Sequence, residues 1–278
     1  MQKIKTAIEK TKLQFPFEGY LNSTHIMECV TIFKTISKFI KEPQNKRLLS
    51  IGSGPMDKEG VFQNLGLNCY AVDDLSDPWH LRNNNSEKIK KYAKKIGIDF
   101  HHQKIGDYHI PFKKDSFDVV CSLAVIEHLH QSPMNFLNTM GEFAKPGGLI
   151  LITMPNSVNL RKRLSVLFGK TNYVKIRPFF FSGDVYRGHV REYTLDETIS
   201  ICKYSNFEIL YGNTFESLSA AKLKPPFRQI YNGFGNIFKT LRSSIIVVAK
   251  KPENWLPAKY DENIYREVLK DTVPKAVH

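Results

Sequence analysis

At 278 residues, with 42% hydrophobic and 24% charged side chains, the chain has the material for one large globular domain with small appendages, and it is not a disordered or low-complexity polymer. Its formal net charge of +13 admits nucleic acid, an anionic membrane surface or a phosphorylated substrate as partner, and is equally compatible with a merely soluble surface. No run of 18 uncharged apolar residues occurs, residues 1–12 carry charges every few positions, and Cys29, Cys69, Cys121 and Cys202 lie far apart; a spanning helix, a secretory signal, a disulfide frame and a zinc site are therefore not expected, and a cytoplasmic location is.

In chain order, Ile4, Ala7 and Ile8 mark a short amphipathic helix over 1–13. Ile26, Met27, Val30, Phe33, Ile36 and Ile40 recur at helical spacing over 24–41, with Asn22 or Ser23 as cap and Pro43 as stop. Leu48, Leu49 and Ile51 form an apolar run that breaks into Gly52-Ser53-Gly54, which suits a buried parallel strand followed by a tight turn. A helix over 57–65 ends at Gly66, and a second strand, 68–72, ends in Asp73-Asp74. A glycine turn after one strand and a carboxylate closing the next is the arrangement that grips a nucleoside in open α/β sheets, the carboxylate accepting the ribose hydroxyls.

Asp77-Pro78-Trp79-His80 reads as a loop at the same edge, with Trp79 as its anchor or as padding for a base. Ser86 is placed to cap a basic helix ended by Gly97, a third strand falls near 99–104, and Gly106-Asp107-Tyr108 follows. Phe117 to Ser122 is a fourth strand, opening to Leu123-Ala124 and then Glu127-His128. Pro133 starts a helix, and Lys145-Pro146-Gly147-Gly148 leads into a fifth strand, 149–154. An insertion of about thirty residues from Asn156 to Gly188 places Leu160, Leu164, Leu167 and Phe168 on one helical face, with Arg161, Lys162 and Arg163 off it. Thr194 and Glu197 are spaced as a capping box, so His189 to Tyr193 lead into a helix over 195–204. Phe207 to Tyr211 is a sixth strand. A second insertion, 216–241, carries the stripe Phe227, Ile230, Tyr231, Phe234, Ile237, Phe238, Leu241. A seventh strand, 243–249, fits an antiparallel edge, and residues 253–278 read as a peripheral helix and tail.

The ordered set Gly52-Ser53-Gly54, Gly106-Asp107, Ile110-Pro111-Phe112, Ser116-Phe117-Asp118-Val119-Val120, Glu127-His128-Leu129 and Lys145-Pro146-Gly147-Gly148 resembles the class I S-adenosylmethionine (SAM)-dependent methyltransferases, over roughly residues 45 to 215. The resemblance, to bacterial members acting on small molecules or glycans, implies an α/β, Rossmann-like sheet of seven strands with helices on both faces and strand seven antiparallel. It implies SAM as cofactor, bound by Gly52, Ser53 and Gly54, by Asp73 or Asp74 at the ribose, by Asp107 and Tyr108 at the adenine, and by Leu123 and Ala124 beside the methionyl group. It divides the chain into an N-terminal helical cap (1–44), a SAM-binding domain (45–252, insertions 157–188 and 216–241) and a tail (253–278). Two departures stand out: Met56 sits where a third glycine is usual, and Ser50 replaces a common acidic residue.

For a hydroxyl acceptor the proton must be removed, and His128 and His189, at the mouth where acceptors bind in the family, are the candidate bases. Each has the alternative of a local bracing hydrogen bond. Arg191 and Tyr193 are candidate acceptor contacts; Arg191 has the alternative of an ion pair with Glu192 or Glu197, and Glu127 faces either cofactor or solvent. The Asn/Asp-Pro-Pro-aromatic element of base-nitrogen enzymes and the Pro-Cys of cytosine-carbon enzymes are missing. So is the carboxylate and asparagine cluster of metal-assisted catechol sites, so no metal is expected. The likeness therefore implies O-methylation of a small-molecule, glycan or lipid-linked acceptor. The basic amphipathic insertions serve as a lid or as a peripheral contact with the inner membrane surface, and nucleic acid is not the expected partner. An RNA methyltransferase and a non-catalytic SAM-fold interaction protein remain as alternatives.

Overall fold

The computed structural model describes residues 2–103, 110–217, 224 and 227–272. The elements run α1 (Gln2–Gln14), α2 (Ser23–Ile36), β1 (Arg47–Ile51), α3 (Asp57–Asn64), β2 (Asn68–Asp73), α4 (Pro78–Leu81), α5 (Asn85–Ile96), β3 (Asp99–His102), β4 (Phe117–Leu123), α6 (Met134–Phe143), β5 (Ala144–Pro155), α7 (Leu160–Leu167), α8 (Ile176–Phe180), α9 (Leu195–Tyr204), β6 (Glu208–Phe215), α10 (Phe227–Ile237), β7 (Ser244–Lys250) and α11 (Glu262–Thr272). The sheet order is β3-β2-β1-β4-β5-β7-β6. β3, β2, β1, β4 and β5 are parallel, whereas β7 runs antiparallel to both β5 and β6. This is the Rossmann-like seven-stranded sheet that the motifs implied. One detail differs: β7 is not an edge but inserts between β5 and β6, and its two-sided burial from Ser244 to Ala249 is the reason it reads as continuously apolar.

Strand side chains alternate between two cores. Leu48, Ala71, Val119, Cys121 and Leu151 point to the face covered by α2, α3 and α5, through Ile32, Phe62 and Ile89. Leu49, Val72, Val120, Ile150 and Val247 point to the face covered by α6 and α9, through Phe136, Met140 and Cys202. A third cluster joins Ile4, Ala7 and Ile8 of α1 to Cys29 and Val61. The tail is anchored by Trp255, which stacks on Phe207 and donates its indole N–H to Ser205 O at 2.8 Å.

Several local expectations shift. The helix predicted over 24–41 ends at Ile36. The Ser86 cap is not used: α5 starts at Asn85 behind Asn84, which is left-handed with no side-chain cap bond. Glu127-His128 belong to a single 3-10 turn, Ile126–His128. In α7 the face is inverted: Leu164 and Leu167 are exposed, and the buried side chain is Lys162, drawn inward by the carboxylate of Glu192. The Thr194–Glu197 capping box forms with both reciprocal bonds. No helix among the described residues is long and apolar enough to cross a membrane.

Met56 occupies the N-cap of α3 with φ 61° and ψ 34°, where glycine would be unstrained, and its side chain is fully buried against the α2–α3–α5 core. Relief of left-handed strain is worth about 1 kcal/mol, whereas deleting a buried methionine side chain costs about 2–5 kcal/mol, so packing wins. Met56→Gly is expected to lower unfolding free energy by about 1–4 kcal/mol in urea melts; a variant as stable as the parent would show that strain, not packing, dominates.

Candidate active site

β1 leads into Gly52 and Gly54, both at positive φ (78° and 54°). A Cβ on Gly52 would lie 2.6 Å from Val125 Cγ2, so the turn after β1 and the segment after β4 touch with no room for a side chain. Around Gly54 an added Cβ meets nothing closer than 4.0 Å; there the φ, not the packing, selects glycine. Gly52 N–H donates to Val72 O at 2.8 Å. Gly54 N–H donates to Asp73 Oδ2 and Leu75 N–H to Asp73 Oδ1, each at 2.7 Å. The Asp73 carboxylate thus ties the glycine turn to the end of β2. Burial pushes its pKa up, and the two N–H bonds pull it back. Asp74 lies beside it: Oδ1 accepts the Ser76 N–H and hydroxyl (2.9 and 2.6 Å), and Oδ2 stands 4.0 Å from the Arg187 guanidinium. Each carboxylate keeps lone pairs beyond these bonds.

Leu123, at the end of β4, is buried; Ala124 is exposed at φ 62° and donates its N–H to Thr153 O at 2.9 Å. Gly52, Ser53, Gly54, Asp73, Asp74, Leu123 and Ala124 therefore share the carboxyl edge of β1, β2 and β4. Asp107 and Tyr108 lie outside the described residues. Ser53 Oγ and His80 Nδ1 at this edge are buried with no hydrogen-bond partner. Buried polar atoms are normally paired, so the edge fits a polar, nucleoside-sized cofactor. Trp79 packs on Phe17 (centroids 4.8 Å) and Tyr20 (5.5 Å), the anchoring role of the two foreseen for it.

The insertion closes on the end of β4. Val190 and Arg191 N–H both donate to Glu127 O, at 2.7 and 3.2 Å. His128 Nδ1 bonds Arg187 O at 3.2 Å, and His130 Nε2 bonds Tyr186 O at 2.7 Å. His189 is thereby brought edge-on to His128, centroids 4.8 Å apart. His189 Nδ1 bonds Glu192 Oε1 at 2.8 Å, and Glu192 pairs in turn with buried Lys162. Both histidines thus do make bracing bonds, through Nδ1. Burial lowers the His128 pKa, and burial together with His128 and Lys162 lowers that of His189 to about 4, so both rings are neutral at pH 7. Glu127 is fully buried, not solvent-facing; neither carboxylate oxygen has a partner, and burial raises its pKa to about 8. Nothing in the sequence distinguished Glu127 from a surface acid beyond its place after β4.

Arg191 is paired with Glu197 at 3.0 Å and its guanidinium lies 5.1 Å over the Tyr193 ring, which is buried. The ion-pair alternative for Arg191 is the one observed. A cavity of about 550 Å³ opens beside His189, lined also by Lys162, Arg191, Tyr173 and Val174, within the range of small-ligand sites.

Behind the glycine turn lies a buried charge group. Ser50, in the place of the expected acid, donates its hydroxyl to Glu59 Oε1 at 2.6 Å. Burial first, then Asp57, raises the Glu59 pKa to about 7. Burial opposes the charge on Lys58, but Asp57 and Glu28, at 4.0 and 3.7 Å, outweigh it and raise its pKa. Glu59, on α3, thus sets a carboxyl against position 50.

A family model described as a methyltransferase domain matches residues 24–211. Among solved structures the chain is similar to phosphoethanolamine N-methyltransferase 2 of Haemonchus contortus in complex with S-adenosyl-L-methionine (TM-score 0.55, 17% identity, 89% of this chain and 57% of that one). It is similar also to a SAM-dependent methyltransferase of Thermotoga maritima (TM-score 0.53, 13% identity, 90% and 98%). A third is a Haloferax volcanii protein solved in complex with the Trm112 methyltransferase activator (TM-score 0.53, 14% identity, 80% and 89%). At these identities the likeness is one of fold. No curated protein matches the sequence.

The folded state binds the Glu59 proton more tightly than the unfolded chain, so this group removes stability as pH rises from about 4.5 to about 7. Glu59→Gln is expected to lose less stability than the parent between pH 5 and pH 8 in urea titrations; equal losses would take Glu59 out of the pH response.

Proposed function

Because the chain belongs to the methyltransferase-domain family and is a class I SAM-dependent methyltransferase, we propose that it methylates a hydroxyl group on a glycan or small amphiphilic acceptor. In this reading Gly52, Ser53 and Gly54 line the cofactor, Asp73 or Asp74 receives the ribose hydroxyls, and Leu123 and Ala124 flank the methionyl group, with Asp107 and Tyr108 at the adenine. Bound SAM supplies a methyl group activated on a sulfonium, which passes to the acceptor oxygen as its bond to sulfur breaks. The chain's own task is alignment, worth on the order of 7–11 kcal/mol, and removal of the hydroxyl proton.

The observation that carries the reading is the pair of neutral imidazoles beside Glu127. Each has Nδ1 occupied, by a carbonyl or a carboxylate, which leaves Nε2 as the free lone pair. The deeper fall in pKa makes His189 the weaker base, so His128 takes the proton and His189 orients the hydroxyl. The cavity beside His189, lined also by Lys162 and Arg191, is the acceptor pocket, and Tyr193 acts on it through the Arg191 guanidinium over its ring.

A lipid-linked acceptor at a membrane surface is supported by the first insertion. Leu167, Phe168, Ile176, Phe180 and Phe181 are each 73–75% exposed, and Arg161, Arg163, Lys170, Lys175 and Arg177 lie among them. Apolar residues interleaved with cations suit an anionic bilayer interface.

Incubation with methyl-labelled SAM and cell fractions is expected to place label in polysaccharide or lipid extracts; label in RNA alone would replace this acceptor class. Asp73→Ala is expected to weaken SAM binding at least about tenfold by calorimetry, through lost hydrogen bonds to ribose and to the glycine turn. His128→Ala and His189→Ala are expected to lower turnover by about 10²-fold or more with SAM affinity retained; full activity in both would remove the histidines from the mechanism.

A further inference from the structure

We infer that Glu127, His128 and His189 form a binding site for one divalent transition-metal cation beside the cavity that His189 lines. One ligand atom from each residue lies within 4.8 Å of the others. A point equidistant from three atoms at that limit is about 2.8 Å from each, and ligand bonds run about 2.0–2.2 Å. Closure therefore needs side-chain movements of less than about 1 Å.

Three independent features point to a cation. Glu127 is fully buried and both of its oxygens are without a partner, a state that a carboxylate sustains when a cation or hydrogen-bond donors meet it. In each histidine one ring nitrogen is fixed: His128 Nδ1 faces the Arg187 carbonyl at 3.2 Å and His189 Nδ1 faces Glu192 Oε1 at 2.8 Å. Both contacts require a hydrogen on Nδ1, so Nε2 carries the lone pair in each ring. A carboxylate or carbonyl behind the imidazole is the support that metal-ligating histidines have. Here Glu192 is itself held by buried Lys162. Finally, the backbone makes the cluster rigid: the two N–H bonds from residues 190 and 191 to Glu127 O fix the distance between the elements that carry the three ligands.

Two imidazoles and one carboxylate favour zinc, iron(II), cobalt(II) or manganese(II) over magnesium or calcium, and they leave coordination positions open. The role assigned to the cation rests on the methyltransferase reading; its binding does not. In the metal-free protein His128 is the base of the reading above; with the cation bound, an acceptor hydroxyl at an open position loses its proton to solvent water. The oxygen then takes the methyl group while the sulfur keeps the electron pair of the broken bond.

The test uses the full-length, untagged protein, freed of metal by chelation and dialysis and titrated with Co²⁺ alone, followed by visible absorption and calorimetry. One Co²⁺ per chain is expected. His189→Ala and Glu127→Gln are each expected to weaken binding at least about tenfold, and Glu192→Gln, which removes the support of His189 together with the charge partner of Lys162, by roughly 10–100-fold. SAM affinity, measured on the same samples, reports that each variant is folded. If Glu127→Gln does not fold, His189→Ala and Glu192→Gln decide. No Co²⁺ uptake by a parent protein that binds SAM, or equal Co²⁺ affinity in the folded variants, overturns the site. Co²⁺ uptake without SAM binding leaves the site standing and removes the methyltransferase reading.

Discussion

Glu127 is satisfied through its main chain and left unsatisfied at its side chain, and the segments that meet after β4 are organised around that difference. Its carbonyl receives two N–H groups from the residues just after the first insertion and, with the bonds of His128 and His130 to the carbonyls of Arg187 and Tyr186, this holds His189 against His128 across about sixty residues of chain. Its carboxylate is held in apolar surroundings, where an unpaired charge costs several kcal/mol, so at neutral pH it retains a proton until a cation or a donor arrives. A fold does not keep such a group by accident of packing: an alanine or leucine in that place would spare the desolvation. Functional sites are where such locally unfavourable choices concentrate.

The cofactor side depends on a different economy of groups. Asp73 spends one oxygen on each of two turns, so the glycine turn and the end of β2 move as one piece. The two departures from the family pattern are absorbed nearby. Met56 accepts a left-handed backbone in return for a place in the core, and the Ser50 hydroxyl donates to Glu59, which reaches back from α3. Neither departure closes the carboxyl edge, where Gly54 stays open.

Much of the sheet was legible from local pattern. The apolar runs around Leu48, Val72, Val120 and Ile150 are buried on both faces, and such runs need no partner information to be recognised. The Thr194–Glu197 box is local chemistry and formed as read. What could not be read was set by distant partners. The position of β7 between β5 and β6 reverses the chain order, which hydrophobic period does not encode. The α7 leucines had helical spacing, yet the charge at Glu192, thirty residues on, turned Lys162 inward and the leucines out. Glu127 and His128 were visible as a dipeptide; that His189 completes a three-residue cluster with them follows only from the fold.

The inverted α7 has a thermodynamic consequence. The segment over the cavity beside His189 is attached by an ion pair and hydrogen bonds: Lys162 to Glu192, and the Asn156 amide to the carbonyls of Thr240 and Arg242. Leu164, Leu167, Phe168, Phe180 and Phe181 already face outward, so lifting it exposes little new apolar surface. Such an opening has a small heat-capacity change and a shallow denaturant dependence, unlike unfolding of the sheet. Local detachment of this segment would therefore be separable in denaturant from unfolding of the two cores.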